Sequence, residues 1–245
     1  EYGDLLFAYQ SSLKREPIVH LPSFEREEEV AIPIDMRFDI ARNANRYYQK
    51  YHKQRRAQGI LQEQIALCEQ TIAYFEQLES QVELAAVPDA MEIREELVKR
   101  GYMNAQKSGI RRRKGKQIPH FTVFDIEGTL VYLGKNNIQN EYLTRTLARK
   151  DDLWFHTKDL HGSHVICTDP QPDERLLRIC AMLAAYYSQG RFSSSVPVNY
   201  CPVRQLKKVP GSAPGAVTMQ HYRTIYMDPS QKEVTEIIRQ YQKKA

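Results

Sequence analysis

From Ala41 to Ala86 the chain contains no proline, and within that stretch Leu61, Ile65, Cys68, Ile72 and Phe75 recur at alternating steps of four and three. That spacing is the seam of a coiled coil, an apolar stripe that another helix has to cover. At 1.5 Å per residue the helix would run for roughly 65 to 70 Å. The helix that follows is too short to cover it: with Asp89 as N-cap, Glu92 three residues on and Gly101 as its stop, it spans about 12 residues. A partner is therefore expected either from residues preceding Glu1 in a longer protein or from another chain, so the arm is a candidate for self-association.

Around this arm the first part of the chain is simple. Residues 2–14 read as a helix end, and "PIVHLPSFEREEEVAIPID" reads as a small β-hairpin near residues 17–35 with the acidic Glu25 to Glu29 run in its turn. In "NRYYQKYHKQRR" Arg46, Lys50, Lys53, Arg55 and Arg56 stand among Tyr47, Tyr48 and Tyr51, a set able to contact phosphate and stack on bases; the stronger reading takes the tyrosines as packing residues and the cations as a solvated face.

Between Met103 and Ile118 lie Lys107, Arg111, Arg112, Arg113, Lys114 and Lys116 with no acid, interrupted by Gly109 and Gly115. Beyond it the pattern changes to short β-rich runs: strands near 121–126, 130–134, 153–157, 163–168, 196–203 and 222–227, with helices over 138–149, within "PDERLLRICAMLAAYYSQG" and from Ser230. The fold class is α+β: a coiled-coil arm with a hairpin over 1–104, a basic connector over 105–118, and an α+β domain over 119–245.

The stretch "LGKNNIQNEYLT" (133–144) concentrates amides at one strand-to-helix turn. Asparagine competes for backbone hydrogen bonds inside helices and strands, so such a cluster marks a cap or a contact surface. Gly134 ends a strand, and the following helix begins with unpaired N–H groups and a positive dipole end, an anion site in outline. Lys135 adds a charge, and Asn136, Asn137, Gln139 and Asn140 add donors for phosphate or ribose. Capping by Asn136 or Asn137 explains one asparagine but not all of them, so the cluster is assigned to contact.

In "DDLWFHTKDLHGSHV" the residues Trp154, His156, Lys158 and His164 alternate with Leu153, Phe155 and Val165, so one sheet face packs and the other carries polar chemistry suited to RNA by stacking and phosphate contact. His156, His161 and His164 do not make a metal set, because their spacings fall across a turn and no cysteine joins them. Ser163 beside His164 is not a nucleophile and base pair: there is no G-x-S-x-G elbow, and adjacent strand residues point to opposite faces. Neither an enzyme nor a cofactor is expected.

Composition limits the setting. No apolar run approaches the ~20 residues that span a bilayer, and the first residues show neither an initiator Met nor a signal pattern, so the chain reads as a fragment. Cys68, Cys167, Cys180 and Cys201 stand far apart without a C-x-x-C pair, which points to a reducing, cytoplasmic setting. The net charge of +5 is modest, and its concentration in the connector matters more than its sum.

These residues carry a resemblance. "GKNNIQNEYLTRTLARKDDLWFHTKDLHGSHV", with the preceding "RRRKGKQIPHFTVFDIEG" and the later "VPVNYCPVRQLKKVPGSAPGAVTMQHYRTIYMDP", resembles the NFACT-R domain of the NFACT, or fibronectin-binding-protein-like, family, and "IPIDMRFDIARNANRYYQKYHK" resembles the returning helix of that family's coiled-coil middle domain. Two positions depart from the family pattern: Ile40 stands where a proline usually follows the aspartate, and His161 where a proline usually precedes the glycine.

The resemblance implies a non-enzymatic part of a ribosome quality-control factor. Such a factor binds the obstructed large ribosomal subunit and tRNA, alanyl-tRNA in particular, and supports alanine tailing of stalled chains. The alternatives are a fibronectin-binding surface adhesin, which would place the chain at the cell surface, and a structural coiled-coil module. The residues assigned to RNA are Arg111, Arg112, Arg113, Lys114, Lys135, Asn136, Asn137, Gln139, Asn140, Arg145, Trp154, His156, Lys158 and His164. The "GKNN" and "WFHTKD" positions among them also follow from the resemblance.

Overall fold

The computed structural model describes residues 1–105 and 118–243. The chain forms two compact units, Glu1–Thr71 and Ile72–Ala245. Helix α2 (Ile40–Glu83) contributes to both.

In the first unit, α1 (Tyr2–Ala8) packs with strands β1 (Ile18–Pro22) and β2 (Glu29–Pro33) and the start of α2. The hairpin has the alternation that a half-buried sheet requires: Val19, Leu21 and Ile32 point into a core with Leu5, Leu6, Ile34, Ile40 and Ala44. Helix α2 opens on Asp39, whose carboxylate accepts the Arg42 N–H at 2.7 Å. Ile40, at the position where the resemblance leads one to expect a proline, contributes a buried side chain instead of a preset φ. Tyr47 and Tyr48 are packing residues, their hydroxyls donating to the Pro33 carbonyl (2.6 Å) and to Asp4 (2.5 Å). Farther along, Leu61, Ile65 and Ile72 are more than half exposed and Cys68 is exposed. Among the described residues nothing covers that part of the seam.

The second unit joins the end of α2 and α3 (Val87–Lys99) to a six-stranded antiparallel sheet of order β10-β7-β5-β6-β4-β3. Helix α3 starts at Val87, two residues before the expected cap. Pro88 sits in its first turn, where no N–H is needed, and Asp89 caps from inside by accepting the Ala86 N–H at 3.1 Å. Its end is as expected: Gly101, at φ +83°, lets the Gly101 and Tyr102 N–H groups turn back to Val98 and Leu97.

The strands are β3 (Thr122–Ile126), β4 (Thr129–Gly134), β5 (Leu153–Thr157), β6 (His164–Cys167), β7 (Val196–Pro202) and β10 (Arg223–Met227). Between β3 and β4 the turn is Glu127-Gly128, both at positive φ, the two-residue hairpin turn whose twist matches the strands. One sheet face carries the core, with Phe124, Val131, Leu133, Phe155, Val165 and Val198 under helices α5 (Glu174–Tyr186) and α6 (Gln231–Tyr241).

On the other face the expectations fail in two places. The predicted helix over 138–149 is α4 (Asn137–Tyr142) followed by a π-helical turn (Leu143–Leu147), in which the Ala148 N–H reaches back five residues to Leu143. A further hairpin, β8 (Leu206–Lys208) and β9 (Val217–Met219), has no sequence signal because each strand has three residues. Leu143 from the turn and Leu206, Val217 and Met219 from the hairpin pack on Trp154, Ile166 and Cys201.

Helix α4 lies so close to the end of β4 that a Cβ on Gly134 would stand 2.5 Å from the Asn140 Oδ1 and 3.1 Å from the Asn140 backbone nitrogen. Gly134→Ala is expected to destabilise the unit by about 2–3 kcal/mol through this overlap, measured as a lower urea midpoint at unchanged slope.

Candidate nucleic-acid interface

Asn136, Asn137, Gln139 and Asn140 are fully or almost fully buried and satisfied by the protein itself. Asn136 caps α4, its Oδ1 accepting the Gln139 N–H at 2.9 Å, while its Nδ2 donates to Glu92 at 2.8 Å. Gln139 accepts the Lys135 N–H and donates to both Asp89 and Glu92, each at 2.8 Å. Asn137 donates to Glu96 at 3.1 Å and accepts from Gln77 and Gln81 at 2.8 and 2.9 Å. Asn140 accepts the backbone N–H of His164 at 3.2 Å.

The assignment of these amides to RNA contact is therefore corrected. Anions do lie beside the helix entrance, but they are the carboxylates of α3, and the side-chain amides hold them. The group is a latch between α2, α3 and the sheet. Burial pushes the Glu96 carboxyl above its usual range, partly offset by the bonds from Asn137 and Tyr74.

Trp154 and His164 are corrected because both are buried. They lie on the second sheet face, as alternation requires, but the π-helical turn and the β8–β9 hairpin cover that part of it. Half-buried His156 stacks on Trp154, centroids 5.6 Å apart, and meets His164 edge-on at 5.2 Å. Burial pushes His156 down to about 4 and His164 well below the usual range, so both are neutral near pH 7 and offer phosphate no charge. Lys135 is half-buried, its ammonium 5.2 Å from the Tyr187 ring centroid. Arg145 and Lys158 are exposed. Arg111, Arg112, Arg113 and Lys114 lie outside the described residues.

The structure gathers a different cationic surface. Arg145, Arg149 and Lys150 follow α4, and Arg204, Lys207 and Lys208 follow β7; all six are exposed. Two backbone bonds hold these segments side by side, Val203 N–H to Asp152 C=O at 2.9 Å and Arg204 N–H to Lys150 C=O at 3.0 Å. Glu141 organises one end: it accepts from Arg145 at 3.0 Å, from Lys208 at 3.1 Å and from the Gly215 N–H at 2.7 Å. Burial alone would raise the Glu141 pKa, but these donors outweigh it and hold the carboxyl below its usual range.

Asp151 pairs with Arg204, and buried Asp152 caps the Arg149 N–H. Six cations against Glu141, Asp151 and Asp152 leave a local excess of +3. Of this ridge only Arg145 is among the residues expected from sequence to face RNA. The signal is present in "RTLARK" and "VRQLKK", but the two stretches lie far apart along the chain, and only the sheet order makes them neighbours.

The described residues hold no group of three or more His, Cys, Asp or Glu side chains placed to bind a metal, and none of their helices is long and apolar enough to cross a membrane. Residues 1–117 match the family described as "NFACT N-terminal and middle domains" and residues 118–221 the one described as "NFACT protein RNA binding domain", the stretch that holds all of the ridge. The chain is 37% identical over 243 residues to "Rqc2 homolog RqcH" of Bacillus subtilis (strain 168), covering 96% of this chain and 42% of that protein. It is 34% identical over 239 residues to the protein of the same name from Streptococcus pneumoniae serotype 2, covering 96% and 43%. The chain thus spans about two-fifths of the length of these relatives. A solved structure of the C-terminal part of the fibronectin/fibrinogen-binding protein from Streptococcus suis superposes with a TM-score of 0.71 at 35% identity, covering 79% of this chain and 78% of that one.

Proposed function

As the chain belongs to the NFACT family, we propose that it is the RNA-gripping part of a cytoplasmic ribosome quality-control factor. In this reading it binds the obstructed large ribosomal subunit and tRNA, and within the longer protein supports alanine tailing of the stalled chain. Its role is to bind and position, without a reaction of its own.

The observation that carries this reading is the ridge, six exposed cations held in register by backbone bonds within the stretch that matches an RNA-binding domain. Cations at this density neutralise successive phosphates and release their counterions, whatever the sequence. The buried latch supports it by fixing α4, and with it Glu141, against α3.

The test is a salt titration of binding to tRNA and to separated ribosomal subunits. Replacing Lys150, Arg204 and Lys207 by alanine is expected to weaken binding by about tenfold or more near physiological salt. The slope of log affinity against log salt should fall by about 2–3, close to one for each phosphate no longer neutralised. Unchanged affinity and slope would move the grip elsewhere, and binding to fibronectin unaffected by salt or by these substitutions would favour the adhesin.

A further inference from the structure

Beyond the hairpin that buries Trp154, the same sheet face opens at its β10 edge: Asn199 is still buried, while Thr224 is exposed. Register places His156 opposite Asn199 and Asn199 opposite Thr224, whose hydroxyl donates to the Asn199 side chain at 2.8 Å, so these three share the face. One row farther along, the Lys158 N–H donates to the Pro197 carbonyl at 2.8 Å, and Pro197 lies opposite Tyr226. Tyr226 is 63% exposed, and Tyr222, just before β10, is 45% exposed. Among the described residues β10 has no strand on its outer side. Here the residue after β5, the residue before β10 and β10 itself present a lysine and two tyrosine rings, with no carboxylate at the positions just named.

We propose that this exposed β10 edge of the sheet, with Tyr222 and Tyr226 along it and Lys158 in the row of Tyr226, is a stacking platform for unpaired nucleotides of an RNA strand. It rests on the RNA-binding reading above and deepens it by naming the form of RNA taken. Aromatic rings on an exposed antiparallel face accept the flat faces of unstacked bases, which a duplex keeps hidden. About 13 Å of extended chain separates the two tyrosines. The platform is continuous with the ridge: the Gln220 N–H donates to the Gln205 carbonyl at 3.1 Å, which sets the start of this edge beside Arg204. Phosphates follow the ridge while bases lie on the tyrosines.

The experiment uses the whole chain and two labelled probes, a 12-nucleotide oligouridylate and a 16-base-pair RNA duplex, read by fluorescence anisotropy at one salt concentration. The Tyr222→Leu/Tyr226→Leu double variant is expected to bind the oligouridylate roughly tenfold or more weakly and the duplex as before, with Tyr222→Phe/Tyr226→Phe restoring the parent affinity. Equal weakening on both probes, or none on either, overturns the platform. If that happens while the Lys150, Arg204 and Lys207 variant still loses both probes, the RNA-binding reading stands without it. If the parent chain binds neither probe in a salt-dependent way, both fail. Capture of an extended peptide along β10, with no effect of the leucine substitutions on RNA, would assign the edge to a protein strand instead.

Discussion

Gln139→Ala is expected to cost the second unit on the order of 4–5 kcal/mol, well beyond an ordinary point substitution. The side chain is fully buried and its amide nitrogen donates to two carboxylates, Asp89 and Glu92, each at 2.8 Å. Hydrogen bonds to charged partners contribute about 1.5–3 kcal/mol each, and removing the acceptor for the Lys135 N–H leaves a backbone donor unpaired. The methyl group left behind would also take away the donor that now lies between two negative charges. Gln139→Glu has the same shape and isolates the electrostatics. At neutral pH it sets a third carboxylate against the other two and should be at least as damaging. Lowering the pH should recover stability in this variant, because a proton taken up among three like charges relieves a repulsion that the unfolded chain does not have. Urea unfolding of the two variants between pH 7 and 5 makes the comparison. A loss under about 1 kcal/mol for alanine, or no recovery of the glutamate variant in acid, would mean that the latch does not hold α3 to the sheet.

That latch marks where the sequence can be read and where it misleads. The strands are legible because Leu153, Phe155 and Val165 alternate with polar neighbours, and the helix ends because Gly101 and Ser230 are strong local signals. Those features act within a few residues. The amide cluster is legible as a turn that attracts anions, yet its partners, Gln77, Gln81, Asp89, Glu92 and Glu96, lie more than forty residues earlier. Two polar stripes that close on each other look in sequence like two solvated faces, because burial of polar groups depends on a pairing that no local pattern specifies. The same reason hides the ridge and the cover over Trp154: strands of three residues carry too little alternation to announce a hairpin, and Arg204 and Lys150 meet only through the sheet.

The histidine face gives the other large expectation, and there the two readings predict opposite signs. If His156 and His164 faced RNA, acid would charge them and raise affinity. Buried, they resist protonation: desolvation is the chief cause at both, and for His164 the neighbouring His156 adds repulsion. An unfolded histidine takes up its proton near pH 6.5, whereas folded His156 does so only near 4. Between those values the unfolded chain binds more protons, so stability rises with pH across the window and is lost as pH falls from about 6.5 toward 4. After allowance for its partial exposure, His156 accounts for roughly 2–3 kcal/mol of that loss, and His164 acts in the same direction. Glu96 opposes it: its raised pKa makes stability fall as pH rises from the ordinary carboxylate value through the folded one. Asp4, Asp125 and Glu141, all held low, lose their contributions only below the ordinary carboxylate range, outside most of this window. Urea unfolding at half-unit steps from pH 7 to 4 should therefore show a steady decline that His156→Asn flattens and Glu96→Gln steepens. Since His164 packs edge-on against Trp154 under the hairpin that follows Arg204, acid should loosen the cover before it charges any RNA contact. RNA affinity that climbs between pH 6.5 and 5 while the fold stays intact would return these histidines to the interface.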